Sequence, residues 1–283
     1  MPPDPITVAI EAERASRNGA PFLMPSVAPK RTAPKVYLGP AYGRYIEPDH
    51  IQSMNRMLRE PVMYAPAWND ADLPRARSKT ATHFLTETDY DVHVSIDSDI
   101  VFDPASVFQI AQQAHDLGGI VAGLYVTRAA GKMCRPTSLF ETDVPIEFGT
   151  DPTPVPIKWA ATGFLATPRI VFETLAKDLP LCHRSEWWKF YPFYAEYWVR
   201  SERDPEDWIW LSEDYALCDR AKNAGFQVYL NPAIRLLHLG QYPFRIEDLG
   251  KSEEPAAPVR MTYLPDGRFR YEVANEAAVS TAR

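Results

Sequence analysis

The stretch that most restricts the fold runs from Asp91 to Pro104, Asp-Val-His-Val-Ser-Ile-Asp-Ser-Asp-Ile-Val-Phe-Asp-Pro. Val92, Val94 and Ile96 alternate with smaller or more polar residues, which is the period of a strand. The strand ends in Asp97-Ser98-Asp99. Carboxylates two residues apart on extended chain point to the same side, so Asp97 and Asp99 can share one divalent cation, directly or through water. Hard oxygen ligands suit Mg²⁺ or Mn²⁺, ions that keep open positions for substrate phosphates. Asp103-Pro104 then reads as an N-cap and first helical residue, and Val107, Ile110, Ala111, Ala114 and Leu117 keep helical spacing up to Gly118-Gly119. Strand, turn and helix in that order predict an α/β sheet, in which ligands bind beyond the carboxyl ends of the strands. The D-x-D spacing recurs at Asp70-Ala71-Asp72 and Asp89-Tyr90-Asp91, but only Asp97-Ser98-Asp99 ends an apolar strand. A solvated turn that caps the helix is the other reading of the triplet taken alone.

Composition narrows the function classes. A net charge of −7 argues against broad electrostatic binding to nucleic acid or to an anionic membrane. Cys134, Cys182 and Cys218 are an odd set without metal-ligand spacing, which reads as reduced thiols. The first residues hold prolines and acids with no apolar signal core, and no run approaches the roughly 18 apolar residues of a membrane span. A cytoplasmic protein is expected.

Residues 1–34 read as a loosely attached arm with one short helix from Ile6 to Arg17. Strands are expected at Lys35–Gly39, Pro61–Ala65, Ile120–Val126 and Lys158–Pro168, the last interrupted by Gly163. Gly39 and Gly163 mark places where a ligand or another backbone comes close. Helices are expected at Pro48–Arg59 and Leu73–Thr88. In the second, Arg77 shares a face with Ala81, Phe84 and Thr88, so a cation faces the core and needs a partner. A nucleotide diphosphate or a neighbouring carboxylate would serve. Residues 141–156, acidic and Pro-rich, read as a loop. Between Arg184 and Trp210 aromatic residues crowd the chain, among them Trp187, Trp188, Tyr197, Trp198, Trp208 and Trp210. They form either an extra core layer or a platform for sugar rings, with Glu186, Glu196 or Asp207 binding hydroxyls.

Ser212 reads as the N-cap of a helix that Gly225 stops, with Glu213 and Asp214 in its first turn. Asp214 shares a face with Leu217, Cys218 and Ala221 and points inward; Glu213 lines up with Arg220 for an ion pair on the flank. An inward carboxylate there is either a cap or a general base. Ile234–Gly240 brings His238 to the end of a further strand of the same sheet. Beyond it, residues 241–283 read as an extension with a hairpin (Met261–Leu264 and Arg268–Val273 around Pro265-Asp266-Gly267) and a disordered tail.

The order Asp97-Ser98-Asp99, Glu213-Asp214 opening a helix, then His238-Leu239-Gly240 resembles the GT-A class of nucleotide-sugar-dependent glycosyltransferases, and glycosyltransferase family 2 in particular. The resemblance covers Val36 to Gly240. It implies a Rossmann-like α/β/α sandwich with a mostly parallel central sheet over residues 35–240; the aromatic-rich insert 184–210 and the C-terminal hairpin have no counterpart in the family. It further implies Mn²⁺ or Mg²⁺ held by Asp97, Asp99 and His238, with Arg77, Asp97, Gly39 and Gly163 at the nucleotide-sugar donor. Asp214 stands as base, and Trp187, Trp188, Trp210 and Glu213 face an acceptor that is a glycan, lipid-linked sugar, protein, small molecule or modified DNA base. A metal-dependent nucleotidyltransferase and a non-catalytic carbohydrate- or nucleotide-binding protein are the alternatives.

Overall fold

A computed structural model describes residues 33–43, 45–128, 135–140, 145–149, 151–185, 188–202, 204, 206–240, 245–246, 259–264 and 269–273. Apart from Ala33 these belong to one compact unit, Pro34–Arg283. Seven runs pair into its central sheet, numbered here in chain order: β1 (Val36–Leu38), β2 (Val62–Tyr64), β3 (Val92–Ile96), β4 (Ile120–Gly123), β5 (Val155–Pro156), β6 (Phe164–Pro168) and β7 (Val228–Asn231). The spatial order is β2-β1-β3-β6-β4-β7-β5. β1 runs parallel to β2 and β3, and β4 to β7. β6 lies antiparallel between β3 and β4, and β5 antiparallel on the edge beside β7. Every residue of β3, β4 and β6 is buried, as strands covered on both faces must be.

The pleat sorts side chains between two helical layers. Val36, Leu38, Val92, Val94 and Ile96 pack with Met54 and Met57 of α1 (Pro48–Met57) and with Val107, Ile110, Ala111 and Ala114 of α3 (Pro104–Leu117). Tyr37, Ile120, Ala122 and Leu165 point the other way. There they meet Ala81 and Phe84 of α2 (Leu73–Glu87), Val171 and Phe172 of α4 (Arg169–Leu175), and Ala216, Leu217, Cys218 and Ala221 of α5 (Glu213–Asn223). The expected α/β/α sandwich with a mostly parallel sheet is therefore the fold. Asp103 caps α3 by accepting from the Ala105 N–H, as its position before Pro104 predicts. Gly225, at φ +91°, follows α5 in a conformation that a side chain would strain.

Other expectations are corrected. The segment 141–156 is not simply a loop: Pro145–Phe148 and β5 are strands within it. Ile146 and Phe148 are buried while Pro145 and Glu147 are exposed, so a two-residue alternation was hidden by flanking prolines and acids. Pro145–Phe148 pairs with Val259–Tyr263, which pairs with Phe269–Val273, making a three-stranded antiparallel sheet. The aromatic-rich segment forms two antiparallel ribbons, Cys182–Ser185 with Trp188–Phe190 and Tyr197–Arg200 with Trp208–Leu211. His238 does not end a strand of the central sheet; Leu237–His238 pairs with Ile100–Val101 in a separate two-stranded sheet. Cys182 and Cys218 are free thiols. Among the described residues no helix is long and apolar enough to cross a membrane. The short helix Ile6–Arg17, Cys134, Glu186, Trp187, the turn at residues 265–267 and the last ten residues lie outside the described ones.

Candidate active site

The carboxyl end of β3 is where charged side chains from distant segments converge. β3 stops at Ile96 because the backbone turns at Ser98 and Asp99, with the Ile100 N–H reaching back to the Asp97 carbonyl at 3.2 Å. That turn overrides the extended geometry expected of the triplet. The two carboxylates take different partners rather than lying side by side.

Asp97 faces α2. Its Oδ1 accepts from Arg77 Nη2 at 2.6 Å, and the other arm of the same guanidinium donates to Glu213 Oε1. Arg77 is only 3% exposed, so the core-facing cation read from helical phase is real, and its partners are carboxylates. Two anions from opposite sides hold the Arg77 pKa above its already high ordinary value although burial opposes its charge. Glu213 is thereby taken from its expected place beside Arg220, whose guanidinium instead covers the Tyr197 ring at 4.4 Å. Helical phase gives neighbours within a helix; it says nothing of a cation brought in from residue 77.

Asp99 faces the other way. Its Oδ2 lies 2.8 Å from Arg128 Nη1 and 3.4 Å from His238 Nε2. The Leu239 N–H donates to the Asp99 carbonyl and His238 pairs with Ile100, so the backbone itself seats His238 beside the turn. Burial opposes ionisation of Asp99, but His238 and Arg128 outweigh it and bring its pKa below the usual carboxylate value. His238 Nδ1 lies 2.6 Å from the Val126 carbonyl, which can only accept, so Nδ1 carries the hydrogen. In the neutral ring the Nε2 lone pair then points at a carboxylate oxygen, a contact that either a proton on Nε2 or a cation between the two relieves. Two donors each about 2.1 Å from one ion, at right to tetrahedral angles, are about 3.0–3.4 Å apart. The Asp99–His238 spacing fits, and an imidazole tied to a backbone carbonyl is oriented as metal-binding histidines are. Among the described residues no group of three His, Cys, Asp or Glu side chains converges, so an ion here would complete its shell with water or phosphate oxygens.

Asp214 opens α5 next to Glu213. Ser212 has the extended backbone of an N-cap, but its hydroxyl donates to Asp214 Oδ1 instead of accepting from the helix. The Tyr215 N–H donates to the same Oδ1 at 2.8 Å, and among the described residues Oδ2 has no partner. Burial raises the Asp214 pKa and neighbouring Glu213 adds to this, while the Ser212 hydroxyl and Arg77 pull it down; the net shift is upward.

The remaining expected residues divide. At Gly39 a side chain would strike the His93 and Tyr37 rings, and at Gly163 it would strike Tyr125, so internal packing accounts for both. The Gly163 N–H donates to Tyr125 Oη and its carbonyl accepts from the Asp97 N–H, which anchors the turn to β6. Trp187 lies outside the described residues. Trp188 belongs to a short strand, and Trp210 is 58% exposed on the second ribbon. Sequence reasoning missed Arg128, Tyr125 and His50. Only Arg128 carried a signal, in its basic Thr127–Pro136 stretch. His50 is fully buried and bridges the Tyr42 hydroxyl to the Ile100 carbonyl, bracing the turn from α1.

Two cavities flank α2. One of about 460 Å³ is bordered by Asp72, Arg75, His183, Phe190, Glu196 and Trp210; the other, about 420 Å³, by Tyr37, Trp68, Asp70, Lys79 and His83. No protein-family model and no curated protein matches this sequence. Among solved structures the chain is similar to A197 from STIV, at 13% identity and TM-score 0.47, over 85% of this chain and 97% of that one. It is similar also to GalNAc-T7, crystallised with UDP, GalNAc and Mn²⁺, at 11% identity and TM-score 0.44, over 76% of this chain and 45% of that one.

Proposed function

We propose that this chain transfers a sugar from a nucleoside-diphosphate sugar to an acceptor hydroxyl, with a divalent metal ion and with Asp214 as general base. The observation that carries this reading is the Asp99–His238 pair at the carboxyl end of β3, at a spacing that one cation would bridge. Among the described residues Asp97, Asp99, Glu213 and Asp214 are set against Arg77 and Arg128, an excess of negative charge that a divalent cation would balance.

Asp99 and His238 would hold the ion, with Asp97 behind the same turn. Bound there, Mn²⁺ or Mg²⁺ supplies Lewis-acid stabilisation of the charge on the departing diphosphate. Arg128, half-exposed beside Asp99, would meet phosphate oxygens, whereas Arg77 is held by Asp97 and Glu213 and links the turn to α5. Asp214 keeps Oδ1 fixed by Ser212 and the Tyr215 N–H, leaving Oδ2 to take the acceptor proton. A base so positioned contributes about 10²–10⁴ in rate. Transfer of this kind inverts the sugar carbon. A retaining course would not need Asp214, so loss of transfer in Asp214→Asn supports inversion.

The test is a panel of nucleotide sugars incubated with Mn²⁺ and scored for slow donor hydrolysis. Release of nucleoside diphosphate, abolished by EDTA and by Asp99→Ala, is expected. Release of pyrophosphate would make the chain a nucleotidyltransferase, and binding without turnover would leave a nucleotide-binding protein.

A further inference from the structure

We propose that the outer face of the ribbon formed by Tyr197–Arg200 and Trp208–Leu211 is the acceptor subsite, and that the acceptor it takes is a carbohydrate chain. This deepens the glycosyl-transfer reading and rests on it. Register places Trp198 opposite Trp210 and Arg200 opposite Trp208, so these four share one face, while Tyr197, Val199, Ile209 and Leu211 turn inward to the core. Trp198, Trp208 and Trp210 are 60%, 51% and 58% exposed. The Trp198 and Trp210 rings lie within 24° of parallel with centroids 6.0 Å apart, and the Arg200 guanidinium covers Trp208 at 3.8 Å. Beyond this mutual stacking and the Arg200 contact, the outward surfaces of these indoles stay in water within the described fold. Their planes suit the C–H faces of sugar rings.

Two observations tie this face to the chemistry. Trp210 also borders the 460 Å³ cavity, where Glu196 and His183 offer polar atoms for hydroxyl groups beside the Arg75–Asp72 pair. Beyond the ribbon, Ser212 remains extended at φ −61°, ψ 168°, so the two-residue alternation carries the face of Trp210 on to Ser212, whose hydroxyl donates to Asp214. Two extended residues advance about 6.6 Å. A chain that stacks on Trp210 and runs along its strand toward Ser212 approaches the base with its terminal sugar. There the acceptor oxygen bonds to the donor's anomeric carbon and its proton passes to Asp214. The bond from that carbon to the phosphate oxygen breaks, its electron pair leaving with the nucleoside diphosphate. Nucleic acid, which also stacks on aromatic rings, is disfavoured by the −7 net charge and by the carboxylates in the cavity wall.

The full chain is titrated with cellohexaose, maltohexaose, chitohexaose and a ten-nucleotide oligothymidine, following tryptophan fluorescence, and the same titrations are run on Trp198→Ala, Trp210→Ala and Trp210→Phe. At least one hexasaccharide is expected to bind, about ten-fold more weakly to either alanine variant and with partial recovery in Trp210→Phe, at an unchanged melting temperature. Absence of binding by all three hexasaccharides, equal binding by the variants, or ring-dependent binding of the oligothymidine alone would overturn the proposal. Donor hydrolysis by the unaltered chain separates the two readings. Hydrolysis without hexasaccharide binding removes the platform and leaves the enzyme; ring-dependent hexasaccharide binding without hydrolysis keeps the platform and removes the enzyme.

Discussion

At the scale of single residues the site is decided by which acid meets which cation. Arg77 lies between Asp97 and Glu213, nearly out of water, so removing its charge leaves two carboxylates facing each other. Arg77→Met is expected to cost about 3–5 kcal/mol in chemical denaturation, because the loss is that of a buried partner. Asp214 behaves differently. Its pKa is raised, so the fold disfavours its ionised form; the stability this carboxyl contributes exists below the ordinary value near 3.9 and is lost as pH rises through the folded value. Asp214→Asn should therefore melt no lower than the unaltered chain at neutral pH, while transfer falls by orders of magnitude. The pH–rate profile should fall on the acid side through a pKa above the ordinary carboxylate value, with Glu213 and Arg77 the charged neighbours that tune it, and the variant should lack that limb. Glu213→Gln should lose stability first and transfer less, since Glu213 anchors Arg77. The sequence made legible that Arg77 faces the core and that Asp214 faces inward, because helical phase fixes both. It could not show that Glu213 would leave Arg220 for Arg77, since that pair joins residues 136 apart.

At the scale of elements the same limit recurs. The D-x-D triplet was legible as the end of a strand, yet its two carboxylates diverge, because a turn at Ser98 and Asp99 is set by contacts from Gly163 and Leu239. The aromatic-rich segment was legible as unusual but not as divided, since composition does not say which ring has a partner. Phe193 and Tyr194 are fully buried in the core with α2 and α4, whereas Trp198, Trp208 and Trp210 stand on the outside of a ribbon. Phe193→Ala is expected to cost about 3–5 kcal/mol and to lower the melting temperature by several degrees. Trp198→Ala should stay within about 0.5 kcal/mol, as substitutions away from buried features do. Equal losses in the two melts would mean that the ribbon is packed in solution against something absent from the described fold.

At the scale of the molecule the site is a meeting point of segments that share no local sequence. Asp99 comes from the end of β3, Arg128 from beyond β4, Asp214 from α5 and His238 from the small sheet that follows β7. Each segment is also welded to the sandwich by core residues, so a ligand that ties Asp99 to His238 ties together the two halves of the sheet. Binding to the folded state alone stabilises the whole unit by mass action, about 2.7 kcal/mol at a hundred-fold excess over Kd. Mn²⁺ with the nucleoside diphosphate that the hydrolysis panel identifies should thus raise a single melting transition, rather than the later of two. Arg128 now occupies the Asp99 oxygen that faces His238, so Mn²⁺ alone should shift the transition less than Mn²⁺ with a diphosphate that gives Arg128 another partner. His238→Ala should remove most of the metal-dependent part, and EDTA should bring the nucleotide shift in the unaltered chain down to the same level. A nucleotide shift that survives both EDTA and His238→Ala would place the nucleotide away from the Asp99–His238 pair, and the metal assignment would fall with it.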